Sequence, residues 1–206
     1  NPNSDDEHLK SMKYSSEHIL SLLSNLLEFS SLEQGRQYVV RSDFNVSLLC
    51  DKIEAIFKPI AENKRLNLVY HKHIPDDFHI SSDSLKIKQI VSNILSNAIK
   101  YTIEGDIHFG VYYRNNRLIF SIIDQGIGIP ENKVEEIFTP FSRIEENKSA
   151  AEGNGFGLYV VKGLIELLGG RLTLKSEVGK GSHFEIEIPV TQVEPVEEKK
   201  EQEYNT

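Results

Sequence analysis

The chain has 206 residues, 39% of them hydrophobic and 26% charged, with 31 acidic side chains against 23 Lys and Arg and a formal net charge of −8. That balance excludes an unstructured chain, and it excludes a general nucleic-acid binder, because surfaces that track phosphate need clustered Lys and Arg. No run of about 18 apolar residues and no basic-then-apolar leader is present, so neither a membrane span nor a secretion signal is expected.

A chain of this length predicts one ordinary domain with an accessory element. The single cysteine, Cys50, falls in an apolar helical pattern with Leu48, Leu49, Ile53, Ile56 and Phe57. That pattern predicts a buried, inert thiol and no disulfide framework, as in a reducing compartment. The first residue is Asn1 and not Met, from which a segment of a longer protein is expected.

From Leu9 to Leu32 the apolar positions Leu9, Met12, Ile19, Leu22, Leu23, Leu26, Leu27 and Phe29 recur at helical spacing. This predicts one long amphipathic helix with a narrow stripe, suited to a helical hairpin or coiled coil, ended by Gly35. Gln37 to Phe44 reads as a short strand. Val46 to Glu62 reads as a second amphipathic helix, bent near Pro59.

A strand is predicted at Leu66 to His71, and Pro75-Asp76-Asp77 supplies a turn. Ser82 or Asp83 is placed to cap a third helix running through Leu85, Ile87, Ile90, Val91, Ile94, Leu95 and Ala98, wide enough in its apolar face to lie on a sheet. Two alternating segments, Ile107 to Tyr113 and Leu118 to Asp124, flank the polar turn Arg114-Asn115-Asn116-Arg117 and read as a hairpin.

A short helix is expected after Pro130. Leu158 to Leu168 reads as a fourth helix, ended by Gly169-Gly170. Strands at Arg171 to Ser176 and His183 to Val190 are joined by Gly179-Lys180-Gly181. Helices and strands alternate irregularly around hairpins, which predicts an α/β two-layer sandwich on a mixed sheet. From Thr191 the composition turns to Glu, Gln, Lys and Pro without periodicity, as in a linker or disordered tail over 191–206.

Three blocks carry candidate chemistry. Asp124-Gln125-Gly126-Ile127-Gly128-Ile129-Pro130 places a carboxylate at the end of an apolar strand, next to glycines that let backbone approach a flat ligand. Gly153-Asn154-Gly155-Phe156-Gly157-Leu158 opens a helix whose first N–H groups suit an anion, and it is neither a Walker loop nor a dinucleotide fingerprint. In the third helix, Asn93 and Asn97 are four apart and share a face, with Lys100 three further on, a set of polar groups that suits a hard cation and phosphate oxygens.

Together, in this order, the blocks around Asn97, Asp124 and Gly155 resemble the N, G1 and G2 boxes of the sensor histidine kinase ATP-binding domain. Phe138-Thr139-Pro140-Phe141-Ser142-Arg143 is similar to the F box, and Gly179-Lys180-Gly181-Ser182 with Phe184 and Pro189 closes the pattern. The resemblance implies a mixed five-stranded sheet covered by helices, with ATP and Mg²⁺ as ligands. It implies that residues 37–190 are the catalytic domain and that 1–36 are the second helix of a dimerisation and phosphotransfer hairpin.

By the same resemblance Asp124 accepts a hydrogen bond from the adenine amino group, and Gly126 and Gly128 make room for the base. Asn97 ligates Mg²⁺ and Asn93 supports it, the pair forming the catalytic set. Lys100 and Tyr101 approach phosphates and nucleoside, and Arg143 reaches the γ-phosphate. Gly153, Gly155 and Gly157 shape the lid, 144–151, and the helix start. Ile129, Phe156 and Leu158 complete the nucleotide-binding set, and Phe138 and Phe141 anchor the lid base. Phe156 stands where the family usually has Leu and Asn154 where it has Ser or Thr; neither change removes a backbone donor.

Phosphoryl transfer relies on positioning and charge neutralisation, so such a site needs a nucleophile supplied to it. His8 and His18 lack the following acidic residue and downstream Pro of the phosphoacceptor motif. The acceptor histidine is therefore expected outside this chain, on a hairpin of a homodimer, with onward relay to the aspartate of a response-regulator receiver domain. The resemblance further implies the cytoplasmic portion of a membrane-bound sensor, without nucleic acid or membrane contact by this segment. Related ATPases of the same superfamily carry a water-activating glutamate four residues before the helical Asn, where this chain has Asn93. A non-catalytic dimerisation module with a vestigial site is the other alternative.

Overall fold

The computed structural model describes residues 23, 26–142 and 155–194. Of the predicted first helix, 26–33 are helical and its portion at 9–22 lies outside the described residues. Gly35 ends this helix, α1, at φ 59°. Arg36 N–H bonds the Ser31 carbonyl at 3.0 Å and Gly35 N–H that of Leu32 at 3.0 Å, the two bonds of a Schellman stop.

The expected strand at 37–44 shortens to β1, Ser42–Asn45. Upstream, the Val40 N–H goes to the Asp83 carboxylate at 2.9 Å instead of to a neighbouring strand. Asn45 then caps α2, Val46–Asn63, by accepting from Leu48 N–H. Arg65, at φ 61°, turns the chain out of α2 into β2, Asn67–His73.

A strand not expected from the sequence, β3 (His79–Ser82), pairs antiparallel with β1. Asp83, not Ser82, caps α3, Ser84–Tyr101. β4 (Asp106–Arg114) and β5 (Arg117–Asp124) form the expected hairpin. Asn115 and Asn116 both hold positive φ, 52° and 56°, which matches the right-handed twist of the strands. Two short 3₁₀ turns, Glu131–Lys133 and Glu136–Phe138, follow Pro130.

The rest is α4, Gly157–Leu167, β6, Arg171–Glu177, and β7, Gly181–Pro189. The span read as a tail begins with ordered chain: Thr191–Val193 form β8, which pairs with β3. Its pairing is to the backbone of a distant strand, which local composition does not report. Residues 195–206 lie outside the described residues.

The main sheet has five strands in the order β2-β4-β5-β7-β6, and β1-β3-β8 form a small second sheet. β2 runs parallel to β4 and every other pairing of the five is antiparallel, so the sheet is mixed as expected. Along β5 the side chains alternate, and Leu118, Phe120 and Ile122 are fully buried with Ile90, Ile94 and Leu95 of α3. Asp124 continues that same period-two row. The last side chain of the core row is thus a carboxylate on the sheet face that α3 covers.

Candidate functional site

Asp124 is 6% exposed at the end of β5. Its Oδ1 accepts from Gly126 N–H at 2.8 Å and from Ser182 N–H at 3.2 Å, the latter across 58 residues from β7. Burial raises the carboxyl above its usual range, and these two backbone bonds oppose that shift without cancelling it. Both bonds fall on Oδ1, and among the described residues none is formed by the second oxygen.

The end of α3 meets this carboxylate. Thr102 closes the helix by donating its N–H and hydroxyl to the Ala98 carbonyl, at 3.0 and 2.7 Å. The Tyr101 carbonyl is left to accept from Ile127 N–H at 3.2 Å. A Cβ on Gly126 would sit 2.7 Å from that carbonyl oxygen and 2.8 Å from Asp124 Oδ1. Only glycine fits between helix end and carboxylate, and the two are brought together about one point.

Gly128 is equally constrained. It holds φ 70°, and a Cβ there would lie 2.0 Å from the Glu177 carbonyl oxygen. The loop is pinned to the β6–β7 turn by Gly179 N–H on the Ile127 carbonyl at 2.8 Å and by Ile129 N–H on Ser176 Oγ at 2.8 Å. Gly181, at φ 101°, brings the turn so close that a Cβ would lie 1.9 Å from the Asp124 carbonyl oxygen.

Gly157, by contrast, has no atom within 4 Å of its would-be Cβ among the described residues. Gly128→Ala is therefore expected to lower stability by about 3 kcal/mol or more, while Gly157→Ala stays within about 1 kcal/mol. Parallel urea melts check the contrast, and equal losses would contradict it.

Asn97 lies one turn before Tyr101 on α3, and Asn93 one turn before that, all three half-buried and on one face. The Lys100 ammonium sits 4.9 Å over the Tyr101 ring. α4 packs against α3 and begins at Gly157, where among the described residues no side chain caps it. Arg143, Gly153 and the predicted lid, 144–151, lie outside the described residues.

Gly155 lies against Phe141 and Ser142. A Cβ on Gly155 would lie 2.7 Å from the Phe141 carbonyl carbon and 2.9 Å from the Ser142 carbonyl oxygen. Phe141, at φ 63°, places its ring 4.6 Å from that of Phe156. Phe138 packs against the hydrophobic core. Phe29 of α1 packs its ring at a tilt against this group, 5.5 Å from Phe156 and 5.2 Å from Tyr159. Leu32 of α1 covers Gly163, and Glu28 and Glu33 bond Gln89 and Tyr159. The unusual Phe156 thus supplies a contact for the α1 helix.

Sequence reasoning missed the groups that pin the site: the Ser182 N–H, the closely packed Gly181, the Tyr101 carbonyl and the Ser176 hydroxyl. The Gly-x-Gly-Ser turn was their one visible trace. Cys50 is fully buried, and burial pushes its thiol up to about 12, as expected of an inert group. A cleft of about 920 Å³ between Ile129–Glu135 and β6 includes neither Asp124 nor Asn97 and meets the glycine loop at Ile129 and Ser176.

A mixed sheet with helices on one face and a buried carboxylate beside a double-glycine loop defines an ATP-binding catalytic domain of the histidine-kinase kind. The chain belongs to the family described as histidine kinase-, DNA gyrase B-, and HSP90-like ATPases, whose profile matches residues 82–192.

Among similar proteins, the autoinducer 2 sensor kinase/phosphatase LuxQ of Vibrio cholerae is 36% identical over 193 residues, covering 91% of this chain and 22% of LuxQ. The circadian input-output histidine kinase CikA of Synechococcus elongatus is 32% identical over 195 residues, covering 93% of this chain and 26% of CikA. The chain thus spans about a quarter of the length of these relatives.

In fold it is similar to full-length ShkA crystallised in complex with AMPPNP, with TM-score 0.79 and 24% identity over 92% of this chain and 39% of ShkA. It is also similar to the catalytic domain of histidine kinase ThkA, with TM-score 0.63 and 25% identity over 73% of this chain and 95% of ThkA.

Proposed function

We propose that this chain holds ATP between the end of α3 and the loop after β5, and presents the γ-phosphoryl group to a histidine supplied by another part of its full-length protein. The observation that carries the reading is the meeting of the Tyr101 carbonyl and the Asp124 carboxylate about Gly126, on the sheet face that α3 covers. The Asp124 oxygen left free by Gly126 and Ser182 accepts the adenine amino group. Gly126 and Gly128 admit the flat base, Ile129 borders it, and Tyr101 covers the nucleoside. Lys100, Arg143 and the turn from Gly153 through Gly155 to Leu158 face the phosphates.

Asn97, supported by Asn93, contributes one neutral oxygen toward Mg²⁺. Among the described residues no group of three His, Cys, Asp or Glu is placed to hold a metal ion. A single amide therefore fits a cation that arrives with the triphosphate and keeps water and phosphate ligands. When bound, Mg²⁺ neutralises phosphate charge. The chain's own groups position the nucleotide and shield the transferring group from water.

Residues 1–36 belong, in this reading, to the second helix of the dimerisation hairpin, and 37–190 to the catalytic domain. The acceptor histidine lies outside the chain, and the phosphoryl group passes onward to a response-regulator aspartate. The whole protein acts as a homodimer with this portion in the cytoplasm. No described helix is long and apolar enough to cross a membrane. Isothermal titration with AMPPNP and Mg²⁺ tests the reading. Saturable binding is expected, with GTP analogues at least about tenfold weaker, because guanine presents an acceptor where Asp124 needs a donor. Equal affinity for both bases would remove Asp124 from the base site.

A further inference from the structure

Gln125 stands between the carboxylate and the first loop glycine, and its side chain turns away from both. Its Oε1 accepts the Asp106 N–H at 2.9 Å. In the β4–β5 ladder Ile107 and Asp124 are the last main-chain partners. The Gln125 amide therefore extends the ladder by one rung, with a side chain standing in for backbone. Asp106 is itself tied down, its Oδ1 accepting from Asn67 Nδ2 at 3.1 Å, while Asn67 N–H bonds the Gly105 carbonyl at 3.2 Å.

Gly105 makes the space. It holds φ 105°, and a Cβ there would lie 2.1 Å from Gln125 Oε1, with Gln125 Cδ and Cβ the next atoms at 3.2 and 3.5 Å. The glutamine amide thus occupies the volume that any other residue at 105 would fill. The segment it grips, 102–106, leads directly out of α3 behind Tyr101, and the segment it grows from leads directly into Gly126.

We propose that Gln125 is a positioning residue for the nucleotide site: with Gly105 it fixes the distance between the exit of α3 and the loop after β5, and so sets the gap that receives the base. This rests on the reading of Asp124 and Gly126 as the base site. Gln125 touches no nucleotide atom in that arrangement and acts through the two segments it joins.

Calorimetric titration with AMPPNP, beside thermal melts, tests this on wild type, Gln125→Ala, Gln125→Glu, Gly105→Ala and the double variant. Gln125→Ala is expected to weaken binding about fivefold, the factor one ordinary net hydrogen bond carries, with its melting temperature within about 3 °C of wild type. Gln125→Glu keeps the accepting oxygen and is expected to bind within about twofold of wild type.

Gly105→Ala should weaken binding at least as much as Gln125→Ala. The double variant should lose less than the product of the two single factors, because the collision partner is gone. Wild-type affinity in Gln125→Ala, failure of Gln125→Glu to rescue, or strictly multiplicative losses would each overturn the proposal. Wild-type protein that takes up no nucleotide would overturn the base-site reading and this one with it.

Discussion

Asp124→Asn is expected to abolish measurable nucleotide binding under conditions where wild type saturates, a loss of about 10- to 100-fold or more, while the protein stays folded. The substitution is isosteric, so the loss has to come from polarity. Oδ1 is held by two donors, Gly126 N–H and Ser182 N–H. An asparagine must keep its carbonyl oxygen there, because turning the amide would set its NH₂ against both backbone N–H groups. Its NH₂ then stands where the free carboxylate oxygen was, donor against the donor of the adenine amino group.

Stability should move the other way. Burial raises the folded-state pKa of Asp124, so the unfolded chain ionises this group at lower pH than the folded one. Its contribution therefore falls as pH rises from the unfolded value through the raised one, and above that range the buried charge is a standing cost. Asp124→Asn removes that cost, and its melt at neutral pH is expected at or above the wild-type temperature. Nucleotide affinity of wild type is expected to fall on acidification, beginning above the ordinary Asp range, as the accepting oxygen takes a proton. A variant that unfolds, or one that binds as wild type does, would separate Asp124 from recognition of the base.

What could be read from the sequence, and what could not, follows from the range of the interactions. α3 shows itself through an apolar face repeated over several turns and an Asp83 cap at its start. The β4–β5 hairpin shows itself through Asn115-Asn116, two residues that tolerate the left-handed conformation the turn requires. Both signals are local. β3 and β8 have four and three residues, too short to display alternation, and β3 forms between β1 and a β8 that reaches it across more than half the chain.

The site divides in the same way. Asp124 and the glycines that follow form a contiguous motif, whereas the groups that fix them are main-chain atoms of Tyr101, Ser182 and Gly179 and the hydroxyl of Ser176. Backbone donors and acceptors have no sequence signature. Their trace is a glycine opposite, as at 181, whose identity reports the close approach that its backbone makes to Asp124. The docking of Phe29 on Phe156 and Tyr159 was equally invisible, since a lone aromatic on an amphipathic helix reads first as part of that helix's own stripe.

Asn97→Ala should separate binding from transfer. In the proposed arrangement Asp124 and the glycine loop hold the base and Asn97 faces the metal, so affinity for ATP measured in EDTA is expected within about threefold of wild type. With Mg²⁺ present the two proteins should diverge, because the variant lacks the amide oxygen proposed to meet the metal. Phosphohistidine formed on an acceptor hairpin supplied in trans is expected to fall by about 10²- to 10³-fold, the scale for removing one preorganised group that offsets transition-state charge.

Misfolding offers no escape from this prediction. Asn97 is half-buried in the interior of an 18-residue helix, where alanine has the higher helix propensity, so the variant is expected to melt at or slightly above the wild-type temperature. A loss of transfer in a protein at least as stable as its parent isolates the chemistry of one amide oxygen. A loss of affinity equal in EDTA and in Mg²⁺ would instead make Asn97 a contact to the nucleotide itself.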